Sequence, residues 1–193
     1  FRHFPIDWVI LGSMCGIAGV LSEKTQDKEL VIGDMVGAIV HRGPDDNGFY
    51  IDNYVGLGMR RLSIIDLSTG RQPITSSDEK SLIFFNGEIY NYKELRVELV
   101  KKRYVFKTHT DTEVILHMFT EYGPKMLTKL RGMFTFCIYN TETNKIFIAR
   151  DFFGIKPLYY LTEGEGIVAF SSEIKSFMTL PGFKAGVNDS AVY

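Results

Sequence analysis

The chain has 193 residues, of which 45% are hydrophobic and 23% charged, values typical of one globular domain with a sizeable core. A net charge of −1 gives no reason to expect nucleic acid or a membrane surface as the main partner. No apolar run approaches the roughly 20 residues that a spanning helix needs. The two cysteines are too few for a disulfide framework, so we expect a reducing compartment and a cytoplasmic location.

The beginning of the chain differs in pattern from the rest. Residues 1–13 lack the basic start and the long apolar segment of a signal peptide, and Gly12-Ser13-Met14 resembles a cloning junction before an initiator methionine. We therefore expect residues 1–13 to be a vector-derived leader outside the fold. A natural propeptide is the alternative.

The first half of the remaining chain predicts strands around one helix. The expected elements are a buried strand at 15–21, a helix at 30–40, strands at 48–51 and 55–59, and a strand at 82–85. The helix should stop at Gly43-Pro44, and an Asp52-Asn53 turn should join the two strands that follow it. The fourth strand should end at Asn86-Gly87, a dipeptide that favours a tight turn.

The second half predicts helices and then strands. Asn91 and Glu94 have the spacing of a capping box for a helix that runs to about residue 103, and Asp111 is the expected N-cap of the next helix. Gly123-Pro124 should end that helix, and a short third helix should follow. The remaining expected elements are strands at 134–139, 145–149, 158–161 and 167–170, with turns at 143–144 and 164–166.

These elements predict one layered α+β domain. The first and last strands are apolar on both faces, so both of their faces need cover. After Lys175 the periodicity is lost, and Pro181-Gly182 indicates a linker. We therefore expect a domain at 14–178, followed by a linker at 179–193.

Cys15 is the first candidate for chemistry. A cysteine in an apolar strand is most often a small core residue, and we assign that role to Cys137. Cys15, however, directly follows Met14. If everything before Cys15 were removed, its thiol would lie beside a free α-amine with a pKa of roughly 8. That amine could serve as the general base for the thiol.

Three further candidates have ordinary structural explanations. Asn86-Gly87 fits a turn, but an Asn side-chain NH2 and a Gly backbone N–H could also stabilise an oxyanion. Arg61 fits a solvated surface residue, but its planar fork could also bind a carboxylate. Asp111 fits a helix N-cap, but its carboxylate could also bind an ammonium group.

Six motifs in a fixed order give these candidates a shared context. They are MCGIAGV at 14–20, HRGPD at 41–45, RLSIID at 61–66, NGEIYN at 86–91, DTEV at 111–114 and RDFFGIKPLY at 150–159. Together they resemble a class-II glutamine amidotransferase domain, most closely the N-terminal half of glutamine-hydrolysing asparagine synthetase. The resemblance implies the four-layered αββα fold of N-terminal nucleophile hydrolases.

The resemblance also implies a role for each candidate. Cys15 would be the nucleophile, and Asn86 and Gly87 the oxyanion hole. The implied glutamine-binding residues are Arg61 for the α-carboxylate, Asp111 for the α-ammonium group, and Leu62, Ile64, Ile65 and Glu88 as further contacts.

The implied reaction is hydrolysis of glutamine to glutamate and ammonia through a Cys15 thioester. No metal or cofactor is expected in this domain. ATP and Mg²⁺ would serve a synthetase domain of the intact protein, which would amidate aspartate or another carboxylate with the ammonia; a homodimer is left open. Two alternatives are a Cys-His hydrolase that uses His41 or His109 as base, and a glutamine-binding module without catalysis.

Overall fold

The computed structural model describes residues 14–21, 27–62, 71–164 and 166–186, and the structural statements below concern these residues. Their elements, in chain order, are β1 (Gly16–Leu21), α1 (Lys28–Gly37), β2 (Asp46–Ile51), β3 (Val55–Arg61), β4 (Ile74–Thr75), β5 (Ser81–Ile89), α2 (Tyr92–Lys101), α3 (Asp111–Tyr122), β6 (Gly132–Asn140), β7 (Lys145–Arg150), β8 (Tyr159–Glu163) and β9 (Gly166–Ser171). Three 3-10 helices cover Val40–Arg42, Gly123–Thr128 and Ile174–Thr179.

The strands form two antiparallel sheets. The first has the order β2-β3-β1-β9-β8 and the second the order β4-β5-β6-β7. β1 lies at the centre of the first sheet, between β3 and β9, which explains why its residues are apolar on both faces. β5 and β6 pair along nine residues each at the centre of the second sheet.

The sheets pack face to face between two helical layers. Ile17 and Leu57 of the first sheet share a buried cluster with Phe84 and Tyr139 of the second. Helix α1 covers the outer face of the first sheet, and α2 and α3 cover the outer face of the second. Full burial of each such side chain stabilises the fold by about 1.5–3 kcal/mol. The predicted α+β class and αββα layering are both confirmed.

The strand prediction was wrong at Asn86-Gly87. β5 does not end there but continues to Ile89, and Asn86 and Gly87 pair with Thr135 and Phe134 of β6. Pairing along the whole of β6 therefore outweighs the local preference of Asn-Gly for a turn.

Both predicted helix caps need correction. Asn91 occupies the N-cap position of α2 but makes no capping bond, because its side chain instead bonds the backbone of Lys129 and Arg131. The N-cap of α3 is Thr110, whose side chain accepts from the backbone N–H of Glu113. Asp111 is the first residue of α3, which leaves its carboxylate available for other contacts.

Packing continues past Lys175, where the sequence periodicity is lost. Phe177 of the last 3-10 helix is buried against α1 and β1, and Leu180 and Phe183 pack partly buried beside it. The division at residue 178 stays a prediction, and residues 1–13 lie outside the described part of the chain.

Among the helices described, none has the length and apolar character needed to cross a membrane.

Candidate active site

Cys15 lies directly before β1 and is half-buried at the edge of the cluster between the sheets. Its Sγ is 4.0 Å from the carbonyl oxygen of Leu62, and its own carbonyl accepts a hydrogen bond of 3.1 Å from Nε of Arg42. A Cβ on Gly16 would lie 3.0 Å from the Arg42 side chain, so the small residue after Cys15 leaves room for this arginine. Cys15 is therefore held through its backbone by Arg42, while its thiol lies beside the Leu62 carbonyl and the residue stays partly accessible.

Arg42, which the sequence did not single out, is only 7% exposed. Its Nη1 donates to Oε1 of Glu173 at 3.1 Å. Burial alone would raise the pKa of Glu173, but hydrogen bonds from His41, Arg42 and Lys175 bring it below its ordinary value. Glu173 is therefore a carboxylate at neutral pH, and it partly balances the buried Arg42 charge beside Cys15.

Arg61 is placed on the face of β3 that looks toward the second sheet. Side chains alternate along a strand, and Leu57 and Met59, at the same parity as Arg61, belong to the cluster between the sheets. Arg60 has the opposite parity, and its Nε donates to the Val36 carbonyl of α1 at 3.4 Å. Gly16 pairs with Arg60, so Cys15, one residue earlier, comes opposite Arg61.

Asn86 supplies a buried donor from the second sheet. Its side chain is 1% exposed, and its Nδ2 finds no hydrogen-bond partner within the described ranges. A buried polar group without a partner costs about 1–3 kcal/mol, so each such group in a native protein asks for an explanation. A ligand oxygen that arrives only during function would provide one.

Gly87 allows close approach of the neighbouring strand. A Cβ at this position would lie 2.2 Å from the carbonyl oxygen of Met133 in β6, a distance that no side chain tolerates. Glycine therefore keeps β5 and β6 paired at the residue next to Asn86. Its backbone is consequently held at a fixed position directly after Asn86.

Asp111, the first residue of helix α3, contacts the end of strand β5. Its Oδ2 accepts a hydrogen bond of 3.0 Å from the backbone N–H of Ile89. The pKa of Asp111 is raised above its ordinary value, first by burial and also by the nearby charge of Glu88. Hydrogen bonds from the backbone of Ile89 and Thr112 lower this pKa but do not cancel the rise. A cation bound beside Asp111 would relieve both the desolvation and the repulsion. This arrangement favours an ammonium ligand.

Lys156 is a second buried cation that the sequence did not single out. It is 4% exposed, and its Nζ lies 2.6 Å from Sδ of Met14. Burial lowers the pKa of Lys156, and Arg42 lowers it further, while Cys15, Asp151 and Glu88 act in the opposite direction. Lys156 therefore lies within electrostatic reach of Cys15 on the first sheet and of Glu88 on the second.

Two predicted contacts, Ile64 and Ile65, lie outside the described residues. Of the two histidines of the alternative mechanism, His41 has its Nε2 2.8 Å from Oε1 of Glu173, and His109 is exposed. Cys137 is fully buried, which raises the pKa of its thiol to about 12, so its assignment to the core is confirmed.

Known proteins share this architecture and sequence. Residues 14–193 match the family model described as "Glutamine amidotransferase domain". Asparagine synthetase [glutamine-hydrolyzing] 1 of Bacillus subtilis (strain 168) is 50% identical over 169 residues, which cover 86% of this chain and 27% of the relative. Asparagine synthetase B of Escherichia coli (strain K12) is 39% identical over 179 residues, covering 90% and 32%.

Solved structures agree on the fold. The glutamine phosphoribosylpyrophosphate amidotransferase of B. subtilis superimposes with a TM-score of 0.70 at 20% identity, covering 86% of this chain and 43% of that one. The chain spans about a third or less of the length of the two synthetases named above. With a family match that begins at Met14 and runs through every element described above, the chain belongs to the family of glutamine amidotransferase domains.

Proposed function

We propose that this domain hydrolyses glutamine through a thioester on Cys15 and serves as the glutaminase part of an asparagine-synthetase-like protein. The observation that carries the proposal is the Nδ2 of Asn86, which is buried and has no hydrogen-bond partner among the residues that the structure describes. Asn86 lies on the second sheet, in the same strand as Phe84. Phe84 and Ile17 of β1 belong to the buried cluster between the sheets, and Cys15 lies at the edge of this cluster. A donor of this kind suits the negative oxygen that forms when a thiolate attacks an amide.

The proposed reaction begins when the Cys15 thiol loses its proton to the α-amine and its sulfur attacks the side-chain carbonyl carbon of glutamine. A C–S bond forms, and Asn86 and Gly87 stabilise the oxyanion. The C–N bond then breaks, and ammonia leaves with the proton that the amine returns. Water attacks the thioester, releases glutamate and restores the thiol. The amine is free only after the peptide bond between Met14 and Cys15 has been cut.

Recognition of a free amino acid needs opposite charges at its two ends. Arg61, 8% exposed and on the face of β3 next to Cys15, suits the α-carboxylate, because its planar fork can make two parallel bonds. Asp111 suits the α-ammonium group, with Glu88 beside it. Leu62 adds a backbone carbonyl near the thiol, and we retain Ile64 and Ile65 as proposed contacts.

The ammonia would pass to a synthetase domain of the intact protein. In this proposal that domain uses ATP and Mg²⁺ to activate a carboxylate, aspartate being the first candidate. The two synthetases named above support this proposal. They are identical to this chain at 50% and 39% of aligned positions, and each is about three or more times longer than the region that matches.

The test compares two forms of the domain whose N-termini are confirmed by mass spectrometry. The form that begins at Cys15 should release glutamate from glutamine, and the form that retains residues 1–14 should not. Cys15→Ala, as the first residue, should abolish turnover but keep glutamine binding, whereas Cys137→Ala should leave turnover unchanged. Full activity of the form with residues 1–14 would contradict the amine as base and favour a histidine. Binding without turnover in the Cys15-first form would favour a binding module.

A further inference from the structure

We propose that Lys156 is a positioning residue that keeps the freed α-amine of Cys15 unprotonated near neutral pH, so that the amine can act as the base. This inference rests on the proposed glutaminase function and deepens it. It assigns a role to a buried lysine that the reaction described above does not use.

The geometry places the Lys156 ammonium on the side of Cys15 where the new N-terminus will be. Its Nζ is 2.6 Å from Sδ of Met14, the residue whose removal exposes the amine. Once Met14 leaves, this contact is lost, and the ammonium and the new amine border the same vacated space. The lysine cannot simply turn to bulk water, because the residue is 4% exposed.

The backbone around Lys156 is rigidly held, which keeps the ammonium in place. Its N–H donates to Oδ2 of Asp151 at 3.0 Å, and its carbonyl accepts from Oγ1 of Thr135 at 3.0 Å. Asp151 is itself buried and also accepts from the backbone N–H groups of Phe134 and Ile155. The loop between β7 and β8 is therefore fastened to β6, and Lys156 with it.

Charge coupling explains how the lysine would act on the amine. Two amines in one desolvated space repel each other when both are protonated, so one proton is lost at a lower pH than either group would show alone. An α-amine has a reference pKa of roughly 8 and lysine of roughly 10.4, so the α-amine of Cys15 loses its proton first. Lys156 then remains the cation.

The surrounding charges determine how strong this effect is. Arg42 adds a second positive charge, which lowers the pKa of Lys156 and acts on the amine in the same direction, whereas Asp151, Glu88 and the Cys15 thiol oppose it. The carboxylate of Asp151 accepts several backbone hydrogen bonds, which hold its pKa below the ordinary value despite burial. Asp151 therefore stays charged and offsets part of the effect of Arg42. Glu173 bonds Arg42 and offsets part of the Arg42 charge.

The experiment measures kcat/KM for glutamine against pH in the Cys15-first protein, because the acidic limb of this profile reports the base of the free enzyme. Lys156→Met keeps the length of the side chain and removes its charge. We expect its acidic limb to move up by about one pH unit, so that activity falls about fivefold at the midpoint of the wild-type limb, roughly tenfold well below that midpoint, and recovers at alkaline pH. Lys156→Arg should keep the wild-type limb. Lys145→Met, at the far exposed end of β7, is the matched control and should move nothing.

Several results would overturn the inference. The first is an acidic limb that stays in place in folded Lys156→Met. The second is an acidic limb that moves equally in Lys145→Met. The third is a change in the alkaline limb alone, which would place the effect on the thiol. If Lys156→Met does not fold, Lys156→Gln replaces it, and the α-amine is titrated directly by NMR, with ¹⁵N-labelled cysteine, in the wild-type and Lys156→Gln Cys15-first proteins. An amine pKa at or above roughly 8 in the wild type, or an equal amine pKa in the two proteins, contradicts the inference, whereas a wild-type amine pKa below that of Lys156→Gln supports it. Absence of glutamine hydrolysis at every pH would refute the proposed function instead, while this titration would still decide the role of Lys156.

Discussion

Replacement of Asn86 should separate catalysis from stability. In Asn86→Leu the side chain keeps nearly the same shape but loses both its NH2 group and its amide oxygen. In the free protein that NH2 is buried and finds no partner within the described residues, so its removal abolishes no described hydrogen bond and relieves a desolvation cost of about 1–3 kcal/mol. We therefore expect a free energy of unfolding within about 1 kcal/mol of wild type.

The catalytic effect of the same change should be large. Loss of one oxyanion donor typically lowers kcat by about 10²–10³-fold, or roughly 2.7–4 kcal/mol. KM should change much less, because the amide oxygen carries its full negative charge only in the transition state. Glutamate release by the Cys15-first protein measures the first quantity, and urea unfolding measures the stability.

Asn140 offers a matched control at the other end of β6. Its Oδ1 accepts from both the backbone and the hydroxyl of Thr143, so Asn140→Leu should destabilise the hairpin by about 1–2 kcal/mol and leave kcat unchanged. The two variants therefore predict opposite patterns. A kcat of Asn86→Leu within threefold of wild type, or a loss of activity that only parallels a loss of stability, would refute the assignment of Asn86 as an oxyanion donor.

Three other changes test the remaining parts of the site and fold. Arg61→Ala should weaken glutamine binding by about 2–5 kcal/mol in calorimetry, and Arg61→Lys should also weaken it because the fork is lost; a comparable effect of Arg60→Ala would show that the wrong arginine was chosen. Gly87→Ala should cost about 1–3 kcal/mol or more of unfolding free energy, because the added Cβ collides with the β6 backbone; wild-type stability would contradict the close approach. The pKa of His117 is held below its ordinary value, first by burial, so the unfolded chain takes up the proton first and stability should fall as the pH drops below about 6.5. Urea unfolding from pH 7.5 to 5 measures this, and His117→Phe should reduce the slope; an unchanged slope would assign the acid sensitivity to other groups.

The sequence predicted the fold well where the local pattern and the final environment agree. β1 is apolar on both faces and lies at the centre of a sheet, and the Asp52-Asn53 turn joins β2 and β3 as expected. Asn86-Gly87 shows where such agreement ends. The dipeptide favours a turn locally, but nine pairs with β6 hold it in a strand, and no short window contains that information.

The sequence motifs single out Cys15, Asn86 and Asp111 as candidates, and their roles stay predictions. The structure changes one expectation, because Asp111 does not cap its own helix but bonds the N–H of Ile89. Arg42 and Lys156 belong to two of the six motifs but received no role. A cation in a sequence is usually solvated, and only the packing of both sheets shows that these two are buried beside Cys15.

The division of the site between the two sheets has a physical consequence for the proposed substrate. Cys15 and Arg61 belong to the first sheet, whereas Asn86, Gly87 and Asp111 belong to or bond the second. Glutamine would therefore contact both sheets at once, with its α-carboxylate on one and its α-ammonium group on the other. Because an amino acid has these two charges at a fixed separation, only a correctly packed pair of sheets can satisfy both. Recognition of the substrate would then depend on the same buried apolar cluster, shared by Ile17 and Phe84, that stabilises the fold.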